Sequence, residues 1–349
     1  MWRPGGTFDT SYRQTLAIFR TRFHKLMLLL LFILLLTTPL YASQYFLSVL
    51  SVAFIIIIAV HGLNILTGYT GQISLGQVGF MAVGAYVSGI LGARFGLPFW
   101  ASLPCAAFST GVVGLIFGLP SLRLKGFYLA MATLAAHFII LWIIIHAPEF
   151  SGGVDGLIIP RLQIAGLGMT ERSLYYVNLI FVAGMTYFAR NLARTRLGRS
   201  FVAIRDNDLA AEVMGIDVFR YKLTAFFISA VFAGVAGSLW ANYLGLITPE
   251  QFPLMDAIWF LGMIIVGGMG SVLGTIFGVV LLKGLSEVVI LLGPMLGSIV
   301  PALGGRVAAA MAQIFFGVVI IVFLIFEPRG LSHRWELLKT SFRMWPFSY

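Results

Sequence analysis

Residues 190–222 read RNLARTRLGRSFVAIRDNDLAAEVMGIDVFRYK, and this stretch decides how the chain must be folded. It carries seven Lys/Arg and four Asp/Glu between two long apolar runs. Each charge would cost roughly 2.5–3.5 kcal/mol at the centre of a bilayer, about 30 kcal/mol for the whole stretch, so it must lie in water. Its basic excess assigns it to the cytoplasmic face. Its second half carries helix punctuation. Asp206, Asn207 or Asp208 can cap a short helix, residues 209–214 continue it, and Gly215 ends it. A capped helix on that face offers another protein something to hold.

Outward from this stretch the chain is apolar. Of 349 residues, 59% are hydrophobic and only 10% charged, with mean hydropathy +0.96. A soluble domain is about a quarter charged, so the expected class is a polytopic membrane protein. Backbone polar groups in lipid must be satisfied internally, which makes helices the expected element. A net charge of +10 elsewhere suggests nucleic acid, but here the basic residues fall between apolar runs and orient the chain. The single Cys105 excludes an internal disulfide, and no Cys/His pattern suggests a metal or another cofactor.

A spanning helix needs about 20 mostly apolar residues. The sequence predicts ten: 26–42, 46–66, 74–93, 98–119, 127–146, 173–190, 223–245, 256–282, 285–303 and 307–326. With both termini cytoplasmic, all but Arg94, Arg161, Arg172 and Arg306 of the 23 Lys/Arg lie inside. These include Arg3, Arg13, Arg20, Arg22, Arg123, Lys125 and Lys283. The expected fold class is an all-α polytopic membrane protein of about ten transmembrane helices, some broken at Gly. Residues 1–25 form a cytoplasmic segment, 26–330 a single permeating domain with its loop at 190–222, and 331–349 a tail. Residues 26–36 resemble a signal h-region, but the preceding 25 residues favour a retained anchor.

Two Gly-punctuated segments, 68–80 (GYTGQISLGQVGF) and 267–278 (GGMGSVLGTIFG), share the order G-x-x-G followed by Leu-Gly. Transporters built of two halves interrupt helices in this way. In the first segment Thr70, Gly71, Gln72, Ser74, Gly76 and Gln77 are read as lining a solute path, because polar side chains cluster with Gly. In the second, the four-residue spacing of Gly270, Gly274 and Gly278 favours helix packing. The outer-loop run 151–156 (SGGVDG) is expected to be a turn. It lacks the Lys-Ser/Thr of a phosphate loop and the repeated carboxylates of a calcium loop.

No G-x-x-x-x-G-K-[ST], H-E-x-x-H or G-x-S-x-G occurs, so neither nucleotide hydrolysis nor another enzymatic activity is expected of the chain. His61, His137 and His146 are expected to be packed and hydrogen-bonded. Glu287 follows Lys283 by four residues and can pair with it at the cytoplasmic edge. Asp256 opens its span as an acid near a helix N-terminus. No mid-membrane acid–base chain is expected, so transport would be passive or driven by a partner.

Four stretches together carry a resemblance: 68–86 (GYTGQISLGQVGFMAVGAY), 122–134 (LRLKGFYLAMATL), 151–157 (SGGVDGL) and 198–240 (from GRSFVAIRDNDL to AGSLW), with 327–331 (EPRGL) also fitting. The chain resembles the permeases of ABC importers for branched-chain amino acids, the LivM-like branch, over roughly 45–332. That resemblance implies a bacterial or archaeal plasma-membrane subunit that pairs with a second, related permease. It further implies two ATP-hydrolysing subunits and an extracytoplasmic solute-binding protein as partners, and a coupling helix seated in the ATPase. Arg205, Asp206, Asn207, Asp208 and Glu212 would make its polar contacts, Ala210, Ala211 and Met214 would fill the groove, and Gly215 would set the turn. Ala210-Ala211 followed by Gly215 is a relaxed form of the importers' EAA…G loop, because Leu209 stands where that loop has Glu. The alternative class is a stand-alone channel or secondary carrier.

Overall fold

The computed structural model describes residues 22–121, 124, 126–159, 163–164, 167–168, 170–299, 305–327 and 329–344. The expectations for Arg3, Arg13, Arg20, Arg123, Lys125 and Arg161 fall outside these residues, as do those for the chain before 22 and after 344. The described residues form thirteen α-helices of six residues or more: α1 Arg22–Tyr41, α2 Gln44–Leu63, α3 Gln77–Phe95, α4 Phe99–Ser121, α5 Phe127–Ile145, α6 Glu171–Leu192, α7 Arg196–Asp206, α8 Asp208–Val213, α9 Val218–Leu244, α10 Leu254–Gly267, α11 Val272–Ile299, α12 Gly305–Phe326 and α13 Leu331–Met344. Among the described residues strand is limited to two-residue pairs: β1 Leu157–Ile158 with β4 Leu246–Ile247, and β2 Gln163–Ile164 with β3 Leu167–Gly168. The chain is an all-α polytopic membrane protein.

Helix α9 is the axis. Its 27 residues are about 40 Å long, and it packs against α2, α3 and α4. Lipid tails are as apolar as Leu, so close backbone approach has to hold these helices together. Small residues permit it. A Cβ on Gly84 of α3 would lie 2.5 Å from the Cα and carbonyl oxygen of Gly234, and one on Gly234 would meet Thr110 of α4 at 2.8 Å. Gly111, Gly114 and Gly118 put the α4 backbone against Phe227, Ala230 and Phe226. Helix α6 joins the bundle through polar ties: Tyr175 and Tyr176 donate to the carbonyls of Leu35 and Leu36 of α1, and Thr186 meets His61 Nε2 at 3.1 Å.

Among the described residues, seven helices are long and apolar enough to cross a membrane, or eight if the bent pair Phe316–Phe326 and Leu331–Ser341 is one span. The expected count of ten is therefore not established. The expected spans 26–42 and 173–190 appear as helices that miss this test. Within α1 the apolar helix Leu26–Tyr41 is short, and α6 carries Glu171, Arg172 and Arg190. The expected single span 256–282 is two helices. Helix α10 ends at Gly267, Gly268 and Gly270 take φ of 111° and 77°, and α11 returns alongside. Packing holds for Gly274 and Gly278, whose Cβ positions fall on the carbonyls of Gly267 and Met263. Gly270, expected in the same packing stripe, instead forms the reversal. Hydropathy cannot see this break, because a four-residue turn of Gly, Met and Ser barely lowers a 20-residue average.

Candidate functional site

Helix α2 ends by widening into a π-helical turn, Asn64–Tyr69, after which the chain unwinds. Gly71 takes φ 71° and reverses it. Residues 71–76 then run back into the bundle, and α3 begins with Gln77 level with Ala59 and Gly62 of α2, about 10 Å from the end of the π turn. Unwound backbone at membrane depth needs internal partners, and these are supplied locally. Gln72 N donates to the Leu66 carbonyl, Leu75 N to Thr133 Oγ1 at 2.9 Å, and Gly76 N to Ser74 Oγ at 3.3 Å. Thr67 Oγ1 donates to the Gln72 carbonyl, Thr70 Oγ1 to that of Leu66, and Gln72 Nε2 to Thr70 Oγ1.

The six residues expected along a path therefore divide. Thr70, Gly71 and Gln72 line a cavity of about 370 Å³. Ser74 and Gln77 are completely buried outside it, and Gly76 packs against Thr133. Gln77 joins three helices, donating to the carbonyls of Ala59 (2.9 Å) and Ser229 (3.3 Å) and accepting from Ser229 Oγ (3.0 Å).

The opposite wall of that cavity is formed by Arg205, Asp206, Asn207, Asp208 and Lys222. The two groups of residues that the sequence separated are thus brought together. Arg205 makes the junction. Its Nε and one terminal nitrogen hold Asp206 Oδ1 at 3.0 Å, and its other terminal nitrogen donates to the Gly68 carbonyl at 3.0 Å. Asn64 completes the knot, accepting from Gly270 N at 2.9 Å and donating to the Ser271 carbonyl at 3.2 Å. One layer thus ties α7, the π turn and the α10–α11 reversal.

Helix α8 stands out from this layer. Asn207 caps it, accepting from Ala210 N at 3.0 Å. Its end is a complete Schellman turn: Gly215 N donates to the Glu212 carbonyl, Ile216 N to that of Ala211, and Gly215 takes φ 85°. Ala210, Glu212 and Met214 are exposed as the expected role needs, but Ala211 is 3% exposed and faces the chain. Asp208 is engaged with Lys222 at 3.5 Å. The outward apolar surface is made by Leu209, Val213 and Met214, with Val213 and Met214 84% or more exposed. Leu209 and Val213 were not singled out from sequence; their i, i+4 spacing opposite Ala211 is the signal that locates them.

A second polar cluster lies deeper. Lys283 and Glu287 pair at 2.7 Å, as their spacing predicts, and Tyr45 donates to Glu287. They do not sit at the basic edge. Lys283 lies eleven residues into α11, about 17 Å beyond the reversal, because the break falls at 268–271 and not beside 283. The pair is partly exposed, at 23% and 15%, and Tyr45 beside it is exposed. Of the histidines, His61 is bonded as expected, His137 is buried with neither ring nitrogen partnered among the described residues, and His146 is exposed and stacked on Trp142. The run 151–156 is a turn, with Gly152, Gly153 and Gly156 at φ of 76°, 62° and 81°.

Residues 45–324 match the family model described as "Branched-chain amino acid transport system / permease component". The chain is 31% identical to the "High-affinity branched-chain amino acid transport system permease protein LivM" of Salmonella typhimurium and to that of Escherichia coli, covering 88% of this chain and 74% of each relative. It is 27% identical to the "Autoinducer 2 import system permease protein LsrC" of Escherichia coli, over 52% of this chain and 50% of that one. No solved structure matches. The chain belongs to the family of branched-chain amino acid transport system permease components.

Proposed function

We propose that this chain is one permease subunit of an ABC importer, carrying a branched-chain or other amino acid from an extracytoplasmic binding protein to the cytoplasm. It works beside a second permease and above two ATP-hydrolysing subunits, and the Arg205 end faces the cytoplasm of a bacterial or archaeal cell. Residues 26–330 act as one permease domain. The observation that carries the coupling role is α8 itself, a helix capped at both ends that presents Leu209, Val213 and Met214 to solvent where a buried partner surface would cover them. Arg205 and Asn64 supply the transmission. A push on α8 moves α7, and the Arg205–Gly68 and Asn64–Gly270 bonds carry it to the π turn and the α10–α11 reversal together.

The test is the pair Val213→Asp and Met214→Asp in the assembled importer. The expected result is loss of the ATPase subunits on purification and loss of uptake, with this chain still in the membrane at normal level. Undiminished ATPase recovery and uptake would remove the coupling role. Transport by this chain reconstituted alone would replace the importer with the carrier alternative.

A further inference from the structure

A cavity of about 260 Å³ lies between α2, α3, α9, α10 and α11. It has space for about nine groups of water size, at roughly 30 Å³ each. It runs along α10 from Asp256 to Met263, about 10 Å. Most of its wall is apolar, including Ile56, Met81, Trp259 and Phe260.

Five side chains bring polar groups to it, Trp240, Gln251, Asp256, Lys283 and the Ser286 hydroxyl. Asp256 and Gln251 are acceptors, and Lys283 and Trp240 are donors. Two of them are orphans, since Trp240 Nε1 and Gln251 Oε1 are buried with no partner among the described residues. Gln251 Nε2 is held on the Leu246 carbonyl, which leaves its oxygen free. The carboxylate of Asp256 has no hydrogen-bond or ion-pair partner among the described residues, while Lys283 is taken up by Glu287 and Glu287 also accepts from Tyr45. The three charges leave one net negative charge, on the side of Asp256. A buried unpaired donor and acceptor are costly unless something fills them, and the partly buried Asp256 carboxylate beside them adds an unpaired charge. A solute with an ammonium, a carboxylate and an apolar tail fills all of them.

We propose that this cavity is a solute-binding site for a zwitterionic amino acid with an apolar side chain. The ammonium sits on Asp256 and Gln251 Oε1, the carboxylate on Trp240 Nε1–H and toward Lys283, and the side chain against Ile56, Met81 and Phe260. This rests on the permease reading and deepens it. It moves solute contact away from the 70–77 segment and favours a zwitterion over an uncharged or purely anionic solute.

The experiment is equilibrium binding of tritiated leucine to the complete importer in nanodiscs without its binding protein, competed with 3-methylbutylamine and 4-methylpentanoate. Saturable leucine binding is expected, with each half-molecule competing at least about tenfold more weakly. Asp256→Asn should weaken binding by about ten- to hundredfold, the worth of a charge-assisted bond, while Asp256→Glu restores most of it. Lys283→Met should weaken leucine and leave the amine unaffected. Equal leucine binding by wild type and Asp256→Asn would overturn the site, as would equal competition by 4-methylpentanoate. A complex that imports leucine from its binding protein yet shows no binding here would also overturn the site and leave the permease reading intact. A complex that binds leucine through Asp256 but imports nothing would do the reverse.

Discussion

Replacing Gly215 with Val isolates the turn that ends α8. Gly215 takes φ 85°, and no heavy atom lies within 4 Å of where its Cβ would be. A side chain there meets no steric wall, so the whole cost is backbone strain. Holding an L-residue in the left-handed region costs about 1–2 kcal/mol, and a β-branched side chain tolerates it least. That is a factor of roughly 5–30 in the ratio of intact to unwound turn. The two Schellman bonds, to the carbonyls of Glu212 and Ala211, are what would be lost, and α8 has only six residues to hold itself together. Tolerance should therefore follow Gly and Asn, then Ala, then Val, because Asn enters the left-handed region more readily than other side-chain-bearing residues. The assay is binding-protein-stimulated ATP hydrolysis and uptake by the purified importer, together with recovery of its ATPase subunits. Val should cut uptake by up to about thirtyfold without changing the amount of this chain in the membrane. Normal uptake and normal ATPase recovery in the Val variant would refute the lever.

Arg205→Lys removes the fork that joins Asp206 to the Gly68 carbonyl. ATP hydrolysis should continue while solute moved per ATP falls, and an unchanged ratio would clear Arg205 of transmission. Gly84→Leu should lower the melting temperature of the detergent-purified chain through a loss of about 1–3 kcal/mol or more where α3 and α9 touch. Gly92→Ala on the same helix, with nothing within 4 Å of its Cβ position, should be neutral or stabilising in the same measurement. Gln77→Ala should cost about 1–3 kcal/mol by removing its bonds to the Ala59 and Ser229 carbonyls and the acceptor of Ser229 Oγ. Ser74→Ala, which loses one long bond from Gly76 N, should shift the melting temperature less.

The local features were legible because short-range physics decides them. A cap among Asp206, Asn207 and Asp208 and Gly215 as left-handed terminator are settled within a few residues, and the structure uses Asn207 for the first and keeps Gly215 for the second. The Lys283–Glu287 pair follows from helical spacing alone. The inward turn of Ala211 and the outward place of Leu209 and Val213 beside Met214 are not legible in the sequence. A six-residue helix has too few turns for its periodicity to say which side is covered.

The sequence by itself determined the membrane class, the helical element and the charged segment that stays in water. In lipid those follow from hydropathy and from the cost of a bare charge or an unpaired peptide group, each a property of a short window. The tertiary structure alone decided that Arg205 reaches Gly68 across 137 residues and that Asn64 clasps the reversal some 206 residues away. It alone gathered Trp240, Gln251, Asp256 and Lys283 around one cavity. Apolar side chains gain nothing from choosing one helix over another when lipid is equally apolar. Partners are therefore chosen by where two glycine-bearing backbones can touch, and no window of a single helix contains that information.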